Sequence, residues 1–225
     1  MITVHHLENS RSQRILWLLE ELNLPYELKV YQRNKETLLA PPELKAIHPL
    51  GKSPVITDGK RVVAESALII SYLVDKYGEG KLKPTTEDDL LRYQYWLHYS
   101  EGSLMTPLLM ELVFSKVESA PMPFFAKPIA KKIAQTVRAS WVKPQLKLHL
   151  DFLEDELKKS DWFAGSDFTA ADIMMSYPLE AASVKGSMGR PKLDAFVKKV
   201  TERPAYKKAI ERGGPFSVNP LSSQK

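Results

Sequence analysis

Apolar and polar positions change period several times in the first eighty residues. Residues 2–7 (ITVHHL) form a short apolar stretch rich in β-formers, closed by the turn-like Glu8-Asn9-Ser10. From Arg11 to Leu22 the period becomes helical: Ile15, Leu18, Leu19 and Leu22 share one face, with Arg14, Glu20 and Glu21 elsewhere. Pro25 ends that helix because proline cannot continue the backbone ladder. Tyr26, Leu28 and Val30 then alternate with Glu27, Lys29 and Tyr31, the pattern of a half-buried strand. Residues 32–50 are irregular, and Pro41, Pro42 and Pro49 break any long helix there. Val55–Thr57 and Arg61–Ala64 flank Asp58-Gly59, a pair that tolerates the positive φ of a hairpin turn. Helical spacing returns from Glu65 to Tyr77, with Ile69, Tyr72 and Leu73 together.

That order is βαβ, an irregular stretch, then ββα. Beyond it, Gly78 to Pro84 has linker composition, and strand signals fade. Residues 87–118 and 127–158 each read as a long helix, bent at Pro107 and Pro144 respectively. Shorter helices fit 169–182, 192–202 and 204–212. The predicted fold is an α/β N-terminal thioredoxin-like domain plus an all-α C-terminal helical domain. Its expected limits are 1–78 for the first domain, 79–88 for a linker, 89–213 for the helical domain and 214–225 for a loosely held tail.

Composition narrows the chemistry. Hydrophobic residues make up 44% and charged residues 26% of 225, ordinary values for a globular chain. The net charge of +5 suits an anionic small molecule without marking a nucleic-acid binder. Cysteine is absent, which excludes disulfides, thiolate metal sites and a protein-thiol nucleophile. Any thiol chemistry must use a sulfur brought by the substrate. No stretch approaches the roughly 20 apolar residues of a membrane span, and no secretory leader is visible, so a cytoplasmic protein is expected.

Other site classes find little support. His5, His6, His48, His98 and His149 lack metal-ligand spacing, and adjacent His5 and His6 on a strand point to opposite faces. No metal is expected. The run Lys127, Lys131, Lys132, Arg138, Lys143 and Lys147 has few interleaved aromatics and reads as a solvated face, so no nucleic acid is expected either.

Three segments, Ser10 to Leu22, His48 to Val55 and Glu65-Ser66, resemble the cytosolic glutathione transferases, most closely the fungal and bacterial serine-type group. A fourth, Gly165 to Asp172, supports the resemblance in the helical half. It implies a glutathione site in the first domain, a homodimer, and a small hydrophobic electrophile or hydroperoxide as second substrate. Detoxifying conjugation, with peroxidase activity beside it, is the implied chemistry.

In this resemblance Ser10 activates the thiol, with Asn9 and Ser12 as rivals; locally Ser10 reads equally well as a helix N-cap. A thiol of pKa about 8.5 is only about 3% thiolate at pH 7, so an activator has to lower it. Pro54 is implied to be cis, and Val55 to pair its main chain with the cysteinyl unit. Lys52 suits the glycine carboxylate and reads equally as a loop lysine. Ser66, with the first N–H groups of its helix, would hold the γ-glutamyl carboxylate, and Glu65 its ammonium. The candidate acceptor pocket comprises Tyr99, Met105, Leu109 and Phe114, a set that also fits a helix core. Glu101 is a candidate for contact with a neighbouring subunit's glutathione, or a surface glutamate. Thr169 and Asp172 have capping-box spacing and are assigned to folding. Two other functions share this fold: a non-catalytic binding or regulatory module, and a carrier of hydrophobic ligands.

Overall fold

The computed structural model describes residues 1–37, 39–186 and 188–214. Four strands form one sheet in the order β2-β1-β3-β4, where β1 is Ile2–Leu7, β2 Tyr26–Tyr31, β3 Val55–Asp58 and β4 Arg61–Ala64. β1 runs parallel to β2, with Ile2 opposite Tyr26, and antiparallel to β3, with His5 opposite Val55. Gly59, at φ +60°, turns the chain from β3 into β4. β1 lies inside the sheet and all six of its residues are buried, which is why its sequence shows no clean alternation.

Helix α1 spans Gln13–Glu21, and every residue from Gln13 to Leu19 is buried. The one-faced pattern of the sequence therefore understates its burial. The sheet and helix α3 (Ser66–Tyr77) lie to one side, and helices α8 (Ala170–Ala182) and α10 (Pro204–Gly213) to the other. Trp17 fills the join, its ring 5.2 Å from that of Tyr206 and 5.8 Å from that of Phe168. One apolar core, from Ile2 to Ala209, runs through both halves of the chain.

The described elements after α3 are helical: α4 (Glu87–Tyr99), α5 (Met105–Ser119), α6 (Lys127–Val137), α7 (Lys143–Lys159), α8, α9 (Pro191–Thr201) and α10. Each of the two long helices expected from the sequence is divided by a π-helical turn, Ser100–Leu104 and Arg138–Val142. The bends thus precede Pro107 and Pro144. A proline opposes the carbonyl four residues earlier, and a widened turn upstream relieves that conflict. Within the stretch read as irregular, Glu43–Ile47 form a short helix α2, entered through Pro42. The expected tail lies outside the described residues from 215 onward.

Candidate active site

Ser10 follows β1 and precedes α1. Its hydroxyl oxygen lies 2.7 Å from Ser12 Oγ and accepts from the Ser12 N–H at 3.3 Å. Ser12 Oγ in turn lies 2.8 Å from His6 Nδ1, and His6 Nε2 lies 3.0 Å from the Gly213 carbonyl oxygen. A carbonyl only accepts, so Nε2 carries the imidazole hydrogen and Nδ1 accepts from Ser12. Burial lowers the His6 pKa, with the Gly213 carbonyl and Glu8 opposing, and the ring is neutral at pH 7.

The three candidate residues occupy different surroundings. Ser12 has no exposed surface and its hydroxyl is engaged by both Ser10 and His6. Ser10 is 5% exposed and stands at the outer end of the chain of hydroxyls. Asn9 is more exposed, at φ +49°, with its carbonyl accepting from Arg33 at 3.2 Å. Ser10 also serves the turn that enters α1: its hydroxyl accepts from the Ser12 N–H and its main-chain carbonyl from the Gln13 N–H, each at 3.3 Å, so the capping role is present beside the outward-facing hydroxyl.

The carboxylate end is built from β3, β4 and α3. The Ser53–Pro54 peptide bond is cis. Ser53 Oγ donates to the His5 carbonyl at 2.9 Å and accepts from the Leu7 N–H at 3.2 Å, pinning the end of β1 to this loop. Val55 is fully buried and stands opposite His5 on one side and Ala64 on the other. That register carries the chain from Ala64 into Glu65-Ser66 beside Pro54 and Val55. Glu65 is exposed and held at φ +73°, a region a residue with a Cβ rarely enters, and such backbone concentrates at ligand sites. Ser66 is buried in the first turn of α3. Lys52 is exposed on the loop before β3.

One residue outside the expected set of site residues links its parts. Arg14, fully buried on α1, donates to Ser66 Oγ at 3.0 Å, to the Met174 carbonyl at 2.9 Å and to Glu101 at 2.5 Å. Burial lowers its pKa, Glu101 opposing, but a guanidinium stays charged. Burial would raise the Glu101 carboxyl, yet Arg14 and Arg11 outweigh it and hold it below its ordinary value. Arg11 reaches Glu101 at 3.0 Å. The Glu101 carboxylate is thus held by two arginines of its own chain, not left as a free surface charge. The signal for Arg14 was present: a charge in a helix otherwise flanked by buried apolar residues must find partners.

A cleft of about 390 Å³ opens beside Arg11, lined by Met105, Leu108, Leu109, Leu112 and Tyr177 among others. Met105 and Leu109 from the expected pocket belong to it. Tyr99 and Phe114 do not line it. Tyr99 points into an aromatic cluster, its hydroxyl 2.5 Å from His149 Nδ1 and its ring 5.8 Å from Phe152. Two physical facts separate them from the cleft. The π turn after Tyr99 re-phases the helix, and Phe114 lies half a turn around α5 from Met105 at about 100° per residue. Among the described residues no group of histidines and carboxylates suits a metal ion, and no helix is long and apolar enough to cross a membrane.

Comparison with known proteins identifies both halves of the chain. Residues 10–76 match the family model for the glutathione S-transferase N-terminal domain, and residues 117–204 that for the C-terminal domain. The chain is 38% identical to glutathione S-transferase 3 of Schizosaccharomyces pombe, covering 94% of this chain and 88% of that one. It is 34% identical to glutathione S-transferase 1 of Saccharomyces cerevisiae, covering 97% and 98% respectively. A crystal structure of a glutathione S-transferase from Actinobacillus pleuropneumoniae superposes with a TM-score of 0.80 at 34% identity, covering 100% of this chain and 97% of that one.

Proposed function

The chain belongs to the glutathione S-transferase family and is an enzyme of that kind, and on this premise we propose that it conjugates the glutathione thiolate to small hydrophobic electrophiles in the cleft beside Arg11 and Tyr177. Organic hydroperoxides are a second substrate class for the same thiolate: one glutathione displaces the alcohol and a second releases the disulfide and water. In this reading Ser10 meets the sulfur, and Val55 pairs with the cysteinyl main chain beyond Pro54. Ser66 and the first amides of α3 hold the γ-glutamyl carboxylate, Glu65 its ammonium, and Lys52 the glycine carboxylate. A hydroxyl that accepts from Arg14 keeps its own hydrogen for a carboxylate oxygen, which suits Ser66 to that role.

The observation that carries the proposal is the Arg14 bridge. By bonding Ser66 from within α1, it ties the anchor for one end of glutathione to the helix whose entry holds Ser10. Catalysis then consists of lowering the thiol pKa and aligning the sulfur with the apolar cleft. The proposed setting is the cytoplasm, where glutathione is kept reduced. The proposed assembly is a homodimer, for which a sedimentation mass near twice one chain is expected.

Immobilised glutathione tests the site, followed by turnover of an aryl halide, an isothiocyanate and an alkyl hydroperoxide. Retention with turnover of at least one is the expected result. Retention without turnover points to a binding module, and failure to be retained removes the glutathione site. Strong binding of apolar dyes without turnover favours a carrier.

A further inference from the structure

The hydrogen-bonded chain Ser10–Ser12–His6–Gly213 has a direction, and that direction opposes the simple role of a hydroxyl donating to sulfur. Because His6 Nε2–H is given to the Gly213 carbonyl, His6 Nδ1 is an acceptor; the Ser12 hydroxyl donates to it at 2.8 Å in preference to the Leu7 carbonyl at 3.4 Å, and Ser12 then accepts from Ser10. In the resting state Ser10 therefore offers a lone pair outward, and its own hydrogen points inward. A neutral thiol arriving at Ser10 finds a proton acceptor.

We propose that the proton leaving the glutathione thiol is passed through Ser10 and Ser12 and taken up by His6 at Nδ1. The inference rests on Ser10 being the group that meets sulfur. The S–H bond breaks with its electron pair left on sulfur, and its proton bonds to Ser10 Oγ. The former Ser10 hydrogen moves to Ser12 Oγ, and the former Ser12 hydrogen to His6 Nδ1. A neutral thiol and a neutral imidazole become a thiolate and an imidazolium, so charge is conserved. The end state has every hydroxyl reversed: Ser10 donates to the thiolate, Ser12 to Ser10, and His6 to Ser12. One transfer thus both removes the proton and turns the donors toward the new anion. After the conjugate leaves, loss of the imidazolium proton to solvent restores the resting direction.

The surroundings of His6 suit this task. Both N–H groups of the imidazolium have acceptors in place, Ser12 Oγ and the Gly213 oxygen. Glu8, just beyond β1, favours the cation electrostatically; α1 presents the uncharged Ser12 and Gln13, and α10 the Gly213 carbonyl. Burial acts the other way and keeps the ring neutral until a thiolate forms. The end of α10 can lie directly against His6 because residue 213 is glycine. A Cβ there would come within 2.6 Å of Leu16 Cδ1, 2.7 Å of Gln13 Oε1 and 3.3 Å of His6 Cε1. Neighbouring His5 points to the other side of β1, toward Tyr31 at 2.9 Å, and takes no part. His6 acts through two hydroxyls and never touches substrate.

The deciding measurement is imidazole nitrogen NMR on the intact chain labelled at histidine, at pH 7. The probes are glutathione and S-methylglutathione, which has the same charged groups and no thiol proton. His6 should be neutral in the free enzyme, doubly protonated with glutathione and neutral with S-methylglutathione. A thiolate visible by ultraviolet absorbance beside a His6 that stays neutral overturns the relay. Ser10→Ala separates the two layers of the argument. If that variant keeps the wild-type thiolate absorbance, the Ser10 reading itself fails. If it loses the thiolate while wild-type His6 stays neutral, only the relay fails. His6→Gln keeps hydrogen-bonding groups and cannot take the proton; about a tenfold lower thiolate fraction with unchanged affinity for S-methylglutathione is expected. Should that variant not fold, the measurement on the wild-type chain still decides.

Discussion

Ser10 and Ser66 are both buried serines near helix starts, and nothing in their local sequence distinguishes a cap from a ligand contact. Their partners do. Ser66 receives the Arg14 guanidinium, which leaves its O–H free for the carboxylate that the proposed site would bring. Ser66→Ala should therefore raise the dissociation constant for glutathione about tenfold or more, as expected for a lost charged hydrogen bond worth about 1.5–3 kcal/mol. Titration calorimetry checks this, and an unaltered constant removes the anchor. Ser10→Ala belongs to a different step: affinity should hold while kcat/KM falls about tenfold or more, the thiol pKa rising by about one unit. The same kinetic signature in Asn9→Ala, with Ser10→Ala unaffected, transfers the role to Asn9. Taken by its local residues, Glu65 is a favourable acidic residue beside a helix start, and its ammonium role comes from the resemblance. Its φ of +73° is a property of the folded backbone that no spacing encodes.

At the scale of single elements, legibility followed locality. Thr169 and Asp172 lie three residues apart, so their mutual capping is written in the sequence, and the folded chain contains it. Asp172 accepts from the N–H of Phe163 at 2.9 Å, the N–H of Thr169 at 2.8 Å and the Thr169 hydroxyl at 3.1 Å. Asp172→Ala strands these buried donors and should lower unfolding stability by about 2–4 kcal/mol in urea, with glutathione affinity of the folded fraction unchanged. The π turns, by contrast, answer to tertiary packing around Ser100 and Val142, both fully buried, and a continuous 3.6 period could not announce them. Helix α8 carries a second, partly buried acid, Glu180, pushed up to about 7 by desolvation, with its bond from Tyr206 at 2.7 Å opposing. An acid raised in the folded state contributes stability fully below its unfolded value near 4.5, and that contribution is lost as pH rises through about 7. His5, His6 and His149, all lowered by burial, tilt the profile the other way below about pH 6.5. The difference between chains isolates Glu180: relative to wild type, Glu180→Gln should be more stable at pH 8 than at pH 5, by on the order of 2 kcal/mol. A pH-independent difference would show that Glu180 is ionised throughout.

Across the whole molecule, the sequence allowed two folding units, whereas their dependence on each other appears only in three dimensions. Arg14, from the sheet-bearing half, is bound by Met174 on α8 and by Glu101 in the turn between α4 and α5. Contacts of that sequence separation leave no periodic trace, so the sequence shows a charge in an apolar helix without showing which partners it meets. The bridge also decides what Glu101 does. Its side chain is 31% exposed, but its partner Arg14 is only 2% exposed, so the two changes that break the pair are not equivalent. Removing Arg14 leaves a half-solvated carboxylate that still has Arg11; removing the carboxylate leaves a fully buried guanidinium with neutral acceptors alone. Glu101→Gln should accordingly destabilise the chain by about 2 kcal/mol or more, and do so whether or not glutathione is present. Were Glu101 instead to serve a neighbouring subunit's glutathione, the urea midpoint without ligand would match wild type and only KM for glutathione would rise. Paired urea titrations with and without glutathione distinguish these outcomes. The intrachain pairing predicts parallel displacement of both curves, because a cation buried between the two halves must be neutralised before any substrate arrives.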